Sequence, residues 1–131
     1  MRSHRHRFRV IYGDTDMMGV VYYGNYFRYF EAGRSELLRA AGVDYRAFEQ
    51  DGLFLPVADA HAKYHRPAHY EDELTLETTV TDVRFGSIRM AYRLVREADD
   101  TLIATGDTLH ACIDKSGKVV RIPDLLRSKL D

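Results

Sequence analysis

Two aspartates, Asp14 and Asp16, stand two residues apart in the stretch Tyr12-Gly13-Asp14-Thr15-Asp16-Met17-Met18-Gly19-Val20-Val21-Tyr22-Tyr23-Gly24-Asn25-Tyr26. Glycines flank the pair, and an apolar run follows before a helical pattern opens. A helix start offers unpaired backbone N–H groups and the positive end of the helix dipole. Such a place polarises a carbonyl oxygen or a developing oxyanion. A carboxylate held close to it acts as a nucleophile, or as a base for a water. The chemistry implied is acyl transfer to water. The same residues also suit a polar loop in which Asp14 or Asp16 caps a turn through its side chain, and residue chemistry alone favours that plainer reading.

Positioning this stretch requires a strand before it and a helix after it. Phe8 to Tyr12 alternates apolar and polar residues, broken at Ile11, and predicts a strand. From Gly24 onward, Tyr26, Phe27, Phe30, Leu37, Leu38 and Ala41 fall at helical spacings and predict a helix of about five turns with one apolar stripe. Gly33 lies within that stripe, where glycine costs roughly 1 kcal/mol against alanine and leaves room for the close approach of a strand or another subunit. Gly42 suits the helix C-terminus. Asp44 to Glu49 predicts a short second helix ended by Asp51-Gly52.

After Gly52 the period becomes two. Ala58 to Tyr64, Leu74 to Val80, Ile88 to Leu94 and, less cleanly, Leu102 to Ile113 read as strands. Turns at Phe85-Gly86, Ala98-Asp99-Asp100 and Lys115 to Lys118 point to antiparallel hairpins. A brief strand at Val119–Ile122 and a helical tail after Pro123 complete the pattern. One helix with a single apolar face covering such a meander is an α+β domain, and a curled sheet wraps that helix best.

The chain has 131 residues, enough for one domain, 1–131, with a core that needs no disulfide or metal. Lys+Arg number 19 and Asp+Glu 20, a balance that argues against a dedicated nucleic-acid binder. The lone Cys112 permits no internal disulfide, which makes the reducing cytoplasm the expected compartment. The basic start, Met1 to Arg7, lacks a following apolar region, so no signal peptide is expected, nor any membrane span. His61, His65 and His69 recur every four residues, but on a strand His61 and His65 lie roughly 13 Å apart, so no metal site is expected. His4 and His6 are expected in a mobile terminus, His110 on a sheet face, and Cys112 as a small buried residue.

Asp14, Asp16, Gly19, Val20, Val21, Tyr22, Asn25 and Tyr26 together resemble the signature of the 4-hydroxybenzoyl-CoA thioesterase-like family of the hotdog fold. This family includes the short acyl-CoA thioesterases associated with the bacterial Tol–Pal envelope system. The resemblance continues through Phe30-Glu31-Ala32-Gly33-Arg34 and Leu38-Arg39. It extends to Arg66-Pro67-Ala68 with Tyr70 and Asp72-Glu73-Leu74, to Gly86-Ser87 through Tyr92, and to Asp114 with Gly117-Lys118 and Arg121-Ile122-Pro123. It spans about Phe8 to Pro123.

The resemblance implies a hotdog fold, a curled antiparallel sheet wrapped around one long helix. It implies an acyl-CoA thioesterase that releases a carboxylic acid and CoA, with CoA as part of the substrate and no cofactor. Asp16 matches the catalytic carboxylate, attacking the thioester or activating water. Tyr23 lies where a backbone N–H polarises the thioester carbonyl. The Tol–Pal-type branch usually carries His at the Tyr23 position, whereas Tyr occurs in the 4-hydroxybenzoyl type, which leaves the acyl group open. Asp14 matches a signature residue read as an acid that organises the loop. Substrate contacts are expected from Gly19, Val21, Tyr22 and Asn25, and from Arg84, Ser87 and Arg89 on a turn matching one that contacts CoA phosphates, where Arg suits phosphate through its planar donor fork. Glu31 on the helix is the reserve acid, because another hotdog branch uses a helix carboxylate. Hotdog proteins of this kind join sheets edge to edge into homodimers and often pair into homotetramers. Two other classes stay in view: an acyl-thioester hydratase or dehydratase, whose usual His-Phe-Pro type motif is absent, and a non-catalytic acyl-binding module.

Overall fold

A computed structural model describes residues Met1–Asp131. Five antiparallel strands form one sheet: β1 (Ser3–Arg9), β2 (Val57–Tyr64), β3 (Glu73–Val83), β4 (Ser87–Arg96) and β5 (Thr101–Ala111), in the order β1-β3-β4-β5-β2. The helices are α1 (Asn25–Ala40), α2 (Tyr45–Gln50) and α3 (Asp124–Leu130). Strands β3, β4 and β5 make the expected meander. Strand β2 does not precede it in space; it crosses to pair with β5 and leaves its other edge open. This is the α+β arrangement read from the sequence.

The period-two pattern buries one face of the sheet. Leu74, Leu76, Thr78 and Val80 of β3 and Ile88, Met90, Tyr92 and Leu94 of β4 point inward, and their alternates are half-buried or exposed. Against that face α1 lays Tyr26, Tyr29, Phe30, Gly33 and Leu37. Phe30 stacks on Tyr92 with ring centroids 4.4 Å apart and planes 6° from parallel. Gly33 meets β3 so closely that a methyl group there would collide with Leu76 Cδ2 and Thr78 Oγ1. The expected close approach of a strand is thus the reason for the mid-helix glycine. Gly106 on β5 is the counterpart, since a Cβ there would lie 2.6 Å from Phe30 Cε2 and 2.5 Å from the His61 carbonyl oxygen.

Several local expectations are corrected. The first strand is Ser3–Arg9, not Phe8–Tyr12; residues Tyr12–Asp14 form a 3-10 turn. His4 and His6 therefore lie in a strand paired with Thr78 and Leu76, not in a mobile terminus, and the His6 ring stacks on Phe8. The signal there was alternation with half-buried histidines in place of aliphatic residues. Residues Val119–Ile122 form no strand beyond one bridge from Val119 to Ile113, because Val120 N–H and Ile122 N–H go to the carbonyls of Cys112 and Phe85 rather than to a ladder. On α1, Phe27 is 39% exposed, and Tyr29 takes the buried place. Strand β2 alternates in sequence but is exposed at nearly every position; of its alanine face only Ala62 reaches the core, with Tyr64 packed on Tyr26. Cys112 is fully buried, as expected. No helix is long and apolar enough to cross a membrane.

Candidate active site

The loop between β1 and α1 folds back on itself. Thr15 bridges Val21, Asp16 N–H donates to the Val20 carbonyl at 2.9 Å, and Gly19, at φ +80°, closes the tight turn by donating to the Asp16 carbonyl at 3.0 Å. Only glycine adopts that φ without strain. Tyr22 N–H then donates to the Asp14 carbonyl at 3.0 Å, which brings the start of α1 back beside the segment leading to Asp16. The segment after β2 braces the loop, with Val21 N–H donating to the Ala68 carbonyl at 2.8 Å and Val20 bridging His69.

The two aspartates part company. Asp14 is buried, with Tyr29 Oη donating to its Oδ2 at 2.9 Å and Arg28 Nη2 donating to its Oδ1 at 2.6 Å. Burial, followed by the Asp14 carboxylate, pushes the Tyr29 phenol far above the ordinary range. Asp14 thus organises the loop. Asp16 is half-buried: Oδ1 accepts from Met18 N–H at 2.9 Å, and Oδ2 has no partner in the chain. The turn-capping role expected of the plainer reading is therefore present, yet it engages only one of the two oxygens.

Tyr23 N–H has no acceptor in the chain. Its direction is set by its own peptide plane, whose other polar group, the Tyr22 carbonyl, accepts from Asn25 N–H at 2.9 Å. Asn25 Nδ2 in turn donates to the Asp14 carbonyl at 2.9 Å. Asn25, expected among substrate contacts, is thus spent on holding the loop to the helix. Tyr64 Oη donates to the Tyr23 carbonyl at 3.3 Å, and the rings of Tyr23, Tyr26 and Tyr64 pack around a pocket of about 300 Å³ whose lining includes Val21. Tyr22 is half-exposed and tilts against Tyr23.

The remaining expected site residues lie elsewhere. Glu31 is exposed, two turns further along α1, roughly 12 Å from Tyr23 along the axis. It borders a larger cavity of about 650 Å³ between α1, α2, β4 and β5, which neither Asp16 nor Tyr23 lines. Arg84 and Arg89 sit at the β3–β4 turn, and each is already paired, Arg84 with Asp82 at 2.8 Å and Arg89 with Asp107 at 2.7 Å. Ser87 begins β4 and is half-buried.

Sequence reasoning placed His110 on a sheet face but missed a hydrogen-bonded chain that runs between Arg34 and His110, both of which line the larger cavity. His110 Nδ1 faces the Leu55 carbonyl at 3.2 Å, an acceptor only, so Nδ1 carries the proton and Nε2 accepts from Thr108 at 2.8 Å. Thr108 then accepts from Tyr92 Oη at 2.6 Å, and Tyr92 accepts from Arg34 Nη1 at 3.2 Å. The result is one directed chain from Arg34 to Leu55. Burial, followed by the Arg34 charge, pulls the His110 pKa down to about 4 against a hydrogen bond to Leu55 that raises it. Sequence spacing carries no signal for a chain joining elements this far apart.

Residues 10–130 match the thioesterase-like superfamily. The chain belongs to that superfamily. The acyl-CoA thioester hydrolase YbgC of Escherichia coli O6:H1 is 33% identical over 106 residues, 81% of this chain and 78% of that protein. The 1,4-dihydroxy-2-naphthoyl-CoA hydrolase of Synechococcus elongatus is 32% identical over 109 residues, 81% of this chain and 79% of that protein. A crystal structure of a 4-hydroxybenzoyl CoA thioesterase superposes with a TM-score of 0.91 over the whole of both chains at 22% identity, which shows the shared hotdog fold. The thioesterase-like superfamily is thus the one its loop signature resembles, and the chain is a thioesterase.

Proposed function

We propose that Asp16 and the Tyr23 N–H form the catalytic pair with which this chain hydrolyses an acyl-CoA to a carboxylic acid and CoA. The observation that carries the reading is that one braced loop holds both an Asp16 Oδ2 and a Tyr23 N–H, at the start of α1, that no other group of the chain engages. The thioester carbonyl accepts from Tyr23 N–H, aided by the positive end of α1, so charge developing on oxygen is met by a donor already in place. Asp16 Oδ2 attacks the carbonyl carbon, CoA thiolate leaves, and water then hydrolyses the mixed anhydride to the acid and free Asp16; or Oδ2 takes a proton from a water that attacks directly as the thiolate leaves. Asp14, Tyr29 and Asn25 hold the loop in register. No group of acids, histidines or cysteines is placed to hold a metal, and the scheme uses none.

The CoA nucleotide lies against the β3–β4 turn at Arg84, Ser87 and Arg89, with Gly19, Val21 and Tyr22 beside the thioester. The open edge of β2 pairs with the same edge of a second copy, satisfying its free backbone groups. This homodimer pairs further into a homotetramer, and each site takes Asp16 and Tyr23 from one subunit and pocket contacts partly from its neighbour. The protein works in the cytoplasm. A thiol-release assay on a panel of acyl-CoAs tests the reaction: release supports hydrolysis, hydration of an enoyl-CoA without release supports a hydratase, and binding with neither supports an acyl-binding module.

A further inference from the structure

At the β3–β4 turn four consecutive carbonyls accept hydrogen bonds from the C-terminal part of the chain. Those of Val83 and Arg84 accept from the Arg127 guanidinium, Nη1 at 3.5 Å and Nη2 at 2.8 Å. That of Phe85 accepts from Ile122 N–H at 2.8 Å, with Arg127 Nη2 at 3.5 Å, and that of Gly86 accepts from Cys112 N–H at 2.8 Å. All four are held by residues 112–127. A trans peptide carries its C=O and N–H on opposite sides of one plane, and no peptide in this chain is cis. Tying the Arg84 and Phe85 carbonyls inward therefore turns the N–H groups of Phe85 and Gly86 outward, and neither has an acceptor in the chain. Successive outward N–H groups make a concavity suited to an anion. The side chains of the turn offer less, because Arg84 and Arg89 are engaged by Asp82 and Asp107.

We propose that Arg127 is a positioning residue for the phosphate end of the substrate: by gripping the carbonyls of the β3–β4 turn from behind, it aims the Phe85 and Gly86 N–H groups at a CoA phosphate. The inference rests on the reading of this turn as the CoA contact. Arg127 Nε is buried without a partner, so the guanidinium is held only by backbone carbonyls and no carboxylate neutralises it. Its positive charge stands behind the N–H groups and reinforces them.

The test is binding of CoA and of pantetheine, which lacks the nucleotide phosphates, to the full chain by calorimetry and by ¹⁵N-resolved amide shifts. Wild type should bind CoA at least about tenfold more tightly than pantetheine, the worth of one charge-assisted hydrogen bond. The Phe85 and Gly86 amides should move with CoA only. Arg127→Met should weaken CoA binding about tenfold and leave pantetheine unchanged, with Arg127→Lys recovering part of the loss. Equal binding of CoA and pantetheine by wild type would remove the phosphate reading of the turn, and the inference with it. Tighter binding of CoA that persists in Arg127→Met would overturn the role of Arg127 alone, and so would equal loss of both ligands. Should Arg127→Met fail to fold, wild-type amide shifts and the lysine variant decide: silent amides or unchanged CoA affinity in the latter sink the proposal.

Discussion

Tyr29 Oη donates to Asp14 Oδ2 at 2.9 Å, joining the first turn and a half of α1 to the loop that carries Asp16. Removing the hydroxyl leaves Asp14 buried and one partner short. Tyr29→Phe should lower the unfolding free energy by about 1.5–3 kcal/mol, the range for a hydrogen bond to a charged group. Urea titration measures it. Thiol release should fall as well, because the same bond holds the loop; a variant as stable and as active as wild type would remove this contact from the account.

Asp16→Asn keeps shape and loses both nucleophile and base. Thiol release should drop at least about 100-fold, in line with the worth of a positioned base. Far-UV circular dichroism should be unchanged, since the amide oxygen still accepts from Met18 N–H. Activity within a few-fold of wild type would move attention to Glu31→Gln.

His110 makes stability depend on pH. In the unfolded chain it binds a proton below about 6.5, whereas in the fold it stays neutral down to about 4. Its contribution is therefore fully present above pH 6.5 and is lost as pH falls through the window toward 4. The linkage amounts to on the order of 2–3 kcal/mol across that window. Unfolding measured between pH 7 and 4 should show this loss in wild type and a flatter profile in His110→Gln; equal slopes would sink the assignment.

Gly33→Ala drives a methyl group into Leu76 and Thr78. Overpacking of this kind costs about 1–3 kcal/mol. The melting temperature should fall accordingly, and an unchanged value would mean that α1 can lift off the sheet freely.

The open edge of β2 predicts association. Sedimentation at assay concentration should give a species of two or four times 15.1 kDa. A fully active species at the single-chain mass would refute the shared site.

Much of this was legible in the sequence where the determinants are local. The alternation of β3 and β4 marked their buried faces because every inward residue but Thr78 is apolar or aromatic. Asp44 marked the start of α2, where its carboxylate accepts from the N–H groups of Arg46 and Ala47. The doublet Asp14 and Asp16 was legible as chemistry, but the opposite fates of the two carboxylates depend on Tyr29 and Arg28, brought over by the turn of the helix. What stayed hidden is non-local. The pairing of Arg89 with Asp107 follows from β4–β5 register. The grip of Arg127 on a turn more than forty residues earlier has no spacing rule, and the chain through Tyr92, Thr108 and His110 exists only once two strands and a loop meet. The histidines of β1 misled because half-buried imidazoles stand where aliphatic residues usually mark a strand.

Gly33 and Gly106 leave the contact between α1 and the sheet no spare volume, not even for a methyl group on either side. A helix seated so tightly cannot be repacked one residue at a time to admit a different guest. Descendants of this chain that come to act on new molecules must therefore diverge at the β1–α1 loop, the flanks of α1, the β3–β4 turn and the open strand edge.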